Sequence, residues 1–372
     1  FHNSKQIVSI AAAENHSLCT TSDGFSYAWG SNRFGQLGST SNKETTDTPS
    51  RVLDLRKEFI THVAAGDRHS VALTSEGKVF CFGDNKLGQL GLPTTAAGAA
   101  DHSNSSSKLF GQVTSLSTKV VIAIAASDKS TLVLTKPKVS TSEKQLVLPN
   151  INSIYSCGNG SYFPMRVHFP SSKAEKRNDN FSRRISERSS NLVNPVAIAC
   201  AKYHNVAISE DGKVYTWGLH LEPLARDLDT GVDSAKNMNS KALFRNNNSN
   251  INTVCLPQLV TKGMLPENGG GKVVAASASE HHTAVLTSAG HLFTWGVTDN
   301  DNRVLGHDGV KYQPSPRRVN GVFHAHAVSV AREHTALLIG TTYPPLPYSN
   351  RNGTCCSLQQ LCESKVAENT DI

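Results

Sequence analysis

Residues 64–83 read AAGDRHSVALTSEGKVFCFG, and residues 88–91, which follow shortly after, read GQLG. The same order of elements recurs along the chain: a run of small residues that ends in His, a Gly-containing pair, and an aromatic-Gly pair. Four copies place the aromatic residue 13 positions after the His; they are His16 with Trp29, His69 with Phe82, His204 with Trp217, and His282 with Trp295. A repeat unit of about 50 residues predicts a solenoid or a propeller.

Two further copies depart from this pattern. In the third copy Ser130 stands in the place of the His, and Cys157-Gly158 replaces the aromatic-Gly pair after an insertion. The sixth copy begins before His334 and then stops. The copies lie near residues 7–58, 59–119, 120–194, 195–271, 272–322 and 323–340. We therefore predict five full repeats and one partial repeat within residues 1–340.

Each copy has the pattern of short β-strands. Runs rich in β-forming residues, at 71–74 and 78–82, flank the Glu76-Gly77 pair, which suits a tight hairpin turn because Gly accepts a positive φ. A closing strand that begins near a Pro follows in four copies, at Pro49, Pro164, Pro257 and Pro316. Four short strands per copy predict the blade of a β-propeller, and therefore an all-β fold.

These repeats resemble the regulator of chromosome condensation repeat family, because the elements AAGxxHS, DGxVxxWG and GQLG follow one another in that order. The resemblance covers about residues 7–340 and implies a seven-bladed β-propeller. Five full copies and a partial one do not make seven blades, so we predict an incomplete ring. The family fold hosts several activities. The resemblance implies a protein-binding scaffold or, alternatively, a guanine nucleotide exchange factor for a small GTPase.

The amino-acid pattern changes after the sixth copy. Residues 341–356 are rich in Pro and predict a stiff linker, and residues 357–372 carry apolar residues at helical spacing, as at the start of a following helical segment. Together with residues 333–338, this end is similar to the ankyrin, propeller and BTB proteins related to the inhibitor of Bruton tyrosine kinase. That narrower resemblance implies an adaptor that presents partners to a cullin-type ubiquitin ligase or a kinase pathway. The first residue is Phe1 rather than Met, and we expect an internal fragment.

Composition restricts the class of partner. The net charge of +7 is moderate, and much of the excess lies in the insertion at residues 168–194, so we expect protein partners and no nucleic acid. The longest apolar run, residues 120–126, is far shorter than the roughly 20 residues that span a bilayer, which argues against a membrane segment. The eight Cys residues have no framework spacing. We therefore expect reduced thiols and a cytoplasmic or nuclear protein.

The repeated His residues invite a catalytic or metal-binding interpretation. Equivalent positions on different blades cannot converge on one ion, so we predict instead that each His satisfies backbone groups between strands. We predict this structural role for His16, His69, His204, His282 and His334. The aromatic residues of the repeat are predicted to pack between blades; they are Trp29, Phe82, Trp217 and Trp295.

Other candidate sites are weaker. Neither His281-His282 nor the pair His324 and His326 has a Cys or a carboxylate placed to complete a tetrahedral metal site. The sequence contains no phosphate-binding loop and no nucleophile elbow. We therefore predict no catalytic, cofactor-binding or metal-binding residue, and no enzyme activity. The stretch Arg183-Arg184-Ile185-Ser186 matches a basophilic kinase substrate, which makes Ser186 a candidate phosphosite.

Overall fold

The computed structural model describes residues 5–38, 43–93, 109–137, 151–169, 193–218, 254–260, 271–298 and 304–340. These ranges contain β-strands and two short 3-10 turns, and no α-helix lies within them. The prediction of an all-β fold is confirmed. The described residues up to Lys202 form one compact unit, and those from Tyr203 onward form a second. No helix in the described part could cross a bilayer.

The first unit contains three four-stranded antiparallel sheets, each with its strands in the same order as in the sequence. A further strand, β13 (Pro195–Cys200), ends this unit. The strands of the three sheets are β1 (Ile7–Ala12), β2 (His16–Thr21), β3 (Ser26–Ser31) and β4 (Thr45–Arg51); β5 (Ile60–Ala65), β6 (His69–Thr74), β7 (Val79–Gly83) and β8 (Leu109–Gln112); and β9 (Val120–Ala126), β10 (Ser130–Lys136), β11 (Ser153–Gly158) and β12 (Ser161–Arg166).

The second unit repeats this arrangement. One group of paired strands has the order β14–β15–β16, a four-stranded sheet has the order β17–β18–β19–β20, and a final sheet contains β21 and β22. The strands are β14 (His204–Ser209), β15 (Val214–Gly218), β16 (Val254–Leu259), β17 (Val273–Ala278), β18 (His282–Thr287), β19 (Leu292–Val297), β20 (Tyr312–Arg318), β21 (Ala325–Val330) and β22 (Thr335–Ile339). The sixth copy thus has two strands in the described residues, as the partial repeat predicts.

The register of the hairpins explains the 13-residue spacing in the sequence. His69 opens β6 and lies opposite Gly83, so Ser70 lies opposite the aromatic Phe82. Gly83 has a φ of 122°, and a Cβ there would collide with the Arg68 carbonyl and lie 2.8 Å from the His69 Cα. The Gly of the aromatic-Gly pair is therefore required by the close approach of the two strands.

Apolar packing joins consecutive sheets in the first unit. Leu37, from the first GQLG element, is 3% exposed and belongs to a cluster with Ile60 and Phe82 of the second sheet. Leu90, from the second GQLG element, is fully buried in a cluster that includes Val133 of the third sheet. The GQLG element therefore places a Leu side chain in the apolar layer between one sheet and the next.

Some features lie outside these predictions or outside the described ranges. The 3-10 turn at Leu53–Leu55 connects the first sheet to the second, the one at Thr114–Leu116 connects the second sheet to the third, and neither has a periodic signal in the sequence. The predicted linker and helical segment at 341–372, most of the insertion at 168–194, and the candidate phosphosite Ser186 lie outside the described residues.

Candidate functional site

Four of the repeated His residues open a β-strand, at the start of β2, β6, β14 and β18, and each of the four contacts the sheet that follows. His16, His69, His204 and His282 are buried, with exposed fractions of 9% or less. In each case the ring Nε2 lies within hydrogen-bond distance of a hydroxyl one residue after the equivalent position in the next copy. The four contacts are His16 to Ser70 at 2.8 Å, His69 to Thr131 at 2.8 Å, His204 to Thr283 at 2.6 Å, and His282 to Thr335 at 3.1 Å.

The hydroxyl in turn donates to a backbone carbonyl of the copy that supplied the His. Ser70 Oγ donates to the Gln36 carbonyl at 2.6 Å, and Thr131 Oγ1 donates to the Gln89 carbonyl at 2.7 Å. In the second unit, Thr335 Oγ1 donates to the Val304 carbonyl at 2.9 Å. Because a hydroxyl has a single proton, the His must donate from Nε2 in these three cases. We call this chain of His, hydroxyl and loop carbonyl the His relay.

The predicted role was to satisfy backbone groups between strands; for His16, His69 and His282 the link to the backbone is indirect, since a hydroxyl stands between the ring and the carbonyl. The physical reason is distance between sheets: the hydroxyl belongs to the neighbouring copy, and it bridges the ring to a loop of the first. The signal was present in the sequence. A Ser or Thr follows the His position in five copies, at Ser17, Ser70, Thr131, Thr283 and Thr335.

Burial keeps the rings of His16, His69 and His282 neutral. Desolvation lowers the pKa of His16 to about 4, and desolvation with the nearby His16 ring lowers the pKa of His69 to about 3. In the second unit, desolvation and then the neighbouring His281 and His334 lower the pKa of His282 to about 4. The Ser279 hydroxyl lies 2.7 Å from the Nδ1 of His282, where it donates to the unprotonated nitrogen. The His relay is therefore an uncharged contact at pH 7.

Two copies do not form the His relay. In the third copy, Ser130 Oγ lies 2.9 Å from Ser127 Oγ and 3.4 Å from Cys200 Sγ. In the sequence, Ser130 replaces the His of the third copy, and Asn205 replaces the Ser or Thr of the fourth copy. A His and a hydroxyl are therefore missing from two consecutive copies. In the sixth copy His334 is exposed, and no hydroxyl of the described residues bonds to its ring.

The aromatic residues of the repeat differ in burial. Phe82 is 1% exposed and stacks on Phe110 with ring centroids 5.5 Å apart. Trp217 is 6% exposed, whereas Trp29 and Trp295 are half-buried. These positions agree with packing as the role of Phe82 and Trp217, which remains a prediction until the side chains are truncated.

In the first unit, the loops before β6 and before β10 form a polar surface together with Phe34, which lies in the loop after β3. Arg68 is exposed, and its guanidinium lies 4.6 Å from the ring of Phe34 in the preceding copy. Burial, and then the neighbouring Asp67 carboxylate, raises the pKa of Asp128. Lys129 is exposed beside Asp128. We call these five residues the loop surface; two of them, an aromatic ring and an Arg, are of the types enriched at protein interfaces.

The weaker candidates do not come together as a metal centre. Among the described residues, no group of three or more His, Cys, Asp or Glu could hold a metal ion. His281 Nε2 lies 3.7 Å from a carboxylate oxygen of Glu280, and both side chains are largely buried. Cys19, Cys81 and Cys157 are buried thiols that form no disulfide within the described residues, and Cys200 is half-buried.

The repeats match a known family. A family model described as "Regulator of chromosome condensation (RCC1) repeat" matches residues 23–73, 76–134 and 289–338. A second model with the same description matches residues 7–36, 60–89 and 196–220. Together the two models cover more than half of the chain.

Curated relatives are 26% identical to this chain over most of its length. The E3 ubiquitin-protein ligase HERC2 of Mus musculus is 26% identical over 314 residues, which is 84% of this chain and 5% of that protein. The X-linked retinitis pigmentosa GTPase regulator homolog of Caenorhabditis elegans is 26% identical over 349 residues, which is 88% of this chain and 22% of that protein. This chain therefore spans less than a quarter of the length of either relative.

Solved structures share the fold. Human WBSCR16 aligns with a TM-score of 0.61 at 21% identity, covering 90% of this chain and 75% of that one. Prp20p of Saccharomyces cerevisiae, reported with its binding properties to Gsp1p and histones, aligns with a TM-score of 0.58 at 18% identity. That alignment covers 99% of this chain and 73% of the other. At these identities the likeness shows the propeller fold.

Proposed function

Because this chain belongs to the regulator of chromosome condensation (RCC1) repeat family, we propose that it is a non-catalytic protein-interaction propeller that acts as a scaffold or adaptor. The observation that supports this most is the loop surface. A constant scaffold of His, Gly and aromatic residues holds loops whose exposed side chains differ from copy to copy, as at Asn15, Arg68 and Lys129. Variable side chains on a fixed scaffold are typical of a binding face.

The adaptor role is proposed to serve a ubiquitin ligase or a kinase pathway. Similarity to the ligase HERC2 supports the first, and it extends over 84% of this chain. The narrower resemblance to BTB proteins depends in part on residues 357–372, which lie outside the described ranges. Buried free thiols such as Cys81 and Cys157 support a reducing compartment, and we propose the cytoplasm or the nucleus.

The test is charge reversal on the loop surface. Arg68→Glu combined with Lys129→Glu should abolish capture of the main partner proteins when the full chain is used as bait and the captured proteins are identified by mass spectrometry. Arg56→Glu and Lys119→Glu, combined, make a matched control for charge, since both residues are exposed and lie before β5 and β9, at the ends opposite Arg68 and Lys129. Capture that is unchanged by the first pair would contradict the loop surface as the binding face.

A second candidate function is guanine nucleotide exchange on a small GTPase. It is favoured by the similarity to the GTPase regulator homolog and by the fold shared with Prp20p, a protein studied for its binding to Gsp1p. Exchange requires a surface that opens the nucleotide site of the GTPase rather than a catalytic side chain. Release of a fluorescent GDP analogue from a panel of small GTPases, measured with and without the chain, separates the two proposals. Faster release from one GTPase supports exchange, and unchanged rates across the panel support the scaffold.

A further inference from the structure

An exposed aromatic ring lies beside basic side chains at the turn end of the fifth copy, the end that carries the hairpin turn between β18 and β19. Phe323, just before β21, is 52% exposed. The Arg318 guanidinium lies 5.5 Å from the centroid of this ring, and the His291 ring meets its edge with centroids 6.5 Å apart and an interplanar angle of 77°. His324 follows Phe323 and is exposed. We call Phe323, Arg318, His291 and His324 the turn surface.

Backbone hydrogen bonds fix His324 beside the hairpin turn. The Ala325 amide donates to the Gly290 carbonyl at 3.2 Å, and the Gly340 amide donates to the His324 carbonyl at 3.1 Å. His324 has a φ of 56°, a left-handed conformation that is uncommon for a residue with a side chain. At the equivalent position of the second copy, Phe59 has no positive φ. Strained backbone of this kind is kept only where the surrounding structure enforces it, and it concentrates at binding sites.

Charge in the described residues of the fifth and sixth copies is divided between the two ends of the strands. The three carboxylates belong to loops at the end away from the hairpin turn; they are Glu280 before β18, Asp308 between β19 and β20, and Glu333 before β22. The turn end carries Arg318, His291 and His324, and the Lys272 amide donates to Ser288 of the same turn at 3.1 Å. The turn surface is therefore complementary to an anionic partner.

The turn surface is too small to follow a strand of nucleic acid. On the side of the fourth copy it is bordered by the exposed residues Glu210 and Asp211, and the Lys272 ammonium donates to the Glu210 carbonyl at 3.4 Å. A phosphate backbone is bound by a groove of cations that continues along the strand. One guanidinium, two imidazoles and an exposed apolar ring match instead a carboxylate that lies next to an apolar side chain.

We infer that the turn surface binds an acidic segment of a partner protein. A carboxylate of that segment accepts charge-assisted hydrogen bonds from Arg318 and from the imidazoles of His291 and His324. An apolar side chain next to that carboxylate packs on the exposed part of Phe323. The four residues all belong to the second unit, whereas the loop surface belongs to the first. The two surfaces are therefore tested separately, and failure of one leaves the other standing.

The surroundings of His291 make this binding depend on pH. Burial, then Arg318 and then His324 lower the pKa of His291 below its ordinary value, and Lys272 brings a further cation to the same turn. These cations oppose protonation of the ring, and a bound carboxylate offsets them. Protonation of the imidazoles and binding of the acidic segment therefore favour each other, so the affinity should rise as the pH falls from 8 to 6.

The test is fluorescence anisotropy with the full chain and a short labelled peptide of repeated Asp-Glu-Leu. The parent chain should bind this peptide and should not bind its counterpart with Asn and Gln in place of Asp and Glu. Arg318→Gln should weaken binding by roughly tenfold, since it removes the guanidinium of the turn surface. Arg317→Gln is the matched control and should leave the affinity unchanged. Arg317 is the neighbouring exposed residue of β20, and it lowers the pKa of His307, on the other face of the strand.

Further variants separate binding from folding. His324→Gly relieves the left-handed strain, so it should weaken peptide binding without lowering the Tm. His291→Gln combined with His324→Gln should abolish the rise in affinity between pH 8 and pH 6. Absence of binding to the folded parent chain, equal binding of the uncharged peptide, or an equal loss in Arg317→Gln overturns the inference. Tighter binding of oligothymidine than of the acidic peptide assigns the turn surface to nucleic acid and overturns it too.

Discussion

Acid should destabilise the first unit through the two buried rings His16 and His69. Both are neutral donors in the His relay, and both are essentially excluded from water. Their folded pKa values are about 4 and about 3, below the ordinary 6.5 of an exposed imidazole. As the pH falls below 6.5 the unfolded chain binds protons first, so the stability that is complete above 6.5 is lost progressively as the pH approaches the folded values.

The size of the effect follows from these values. Between pH 7 and pH 5 an unfolded imidazole becomes almost fully protonated while each buried ring stays mostly neutral. Linkage then removes about 2 kcal/mol of stability for each ring, or about 4 kcal/mol for the pair. A loss of that size is a large share of the stability of a typical domain.

The assay is urea unfolding of the full chain at pH 7, 6 and 5 at constant ionic strength. His16→Gln keeps a side-chain N–H donor and removes the titrating group, so the variant should lose about 2 kcal/mol less than the parent between pH 7 and pH 5. The exposed His334 supplies the control, and His334→Gln should leave the loss unchanged. If His16→Gln lost as much stability as the parent, the reasoning from burial would be refuted.

Three further outcomes are expected. Trp217→Ala should cost roughly 3–5 kcal/mol in thermal melting, because the ring is 6% exposed and its removal leaves a cavity; an unchanged Tm would contradict the packing role. Gly83→Ala should destabilise more in urea than Gly160→Ala, because both have a positive φ but a Cβ meets backbone atoms only at Gly83; equal losses would exclude the collision. Cys157 should resist a thiol reagent until the chain unfolds, since burial raises its pKa to about 12; peptide mapping that finds native labelling of Cys157 would contradict this.

The strands and turns could be predicted from the sequence because their causes are local. The Glu76-Gly77 turn and the strands beside it depend on residues within one hairpin, and a repeated pattern shows them several times. The constant spacing between His69 and Phe82 follows from the same hairpin register. A spacing that recurs in four copies also reduces the chance that any single match is accidental.

The contacts between copies could not be predicted in the same way. The Asp67 and Asp128 carboxylates interact although they are 61 positions apart, and the sequence contains no sign of it. The hydroxyl partner of His69 is Thr131; the sequence shows that Ser or Thr recurs at this position, but it does not show that the ring of the preceding copy is its partner. Its role becomes visible only when the neighbouring sheet is placed beside the first. The 3-10 turns could not be predicted either, because each contains three residues, which are too few to show a period.

The neutrality of the His relay has a consequence for how this chain can diverge. Contacts that carry no net charge and are closed to solvent are insensitive to ionic strength, and they exert little electrostatic influence on distant groups. Lysines, arginines and carboxylates on the exposed loops can therefore be substituted during evolution without weakening the contacts between sheets. In this molecule, the residues that hold the sheets together and the exposed residues available for binding are therefore separate sets, and the second set can change while the first stays the same.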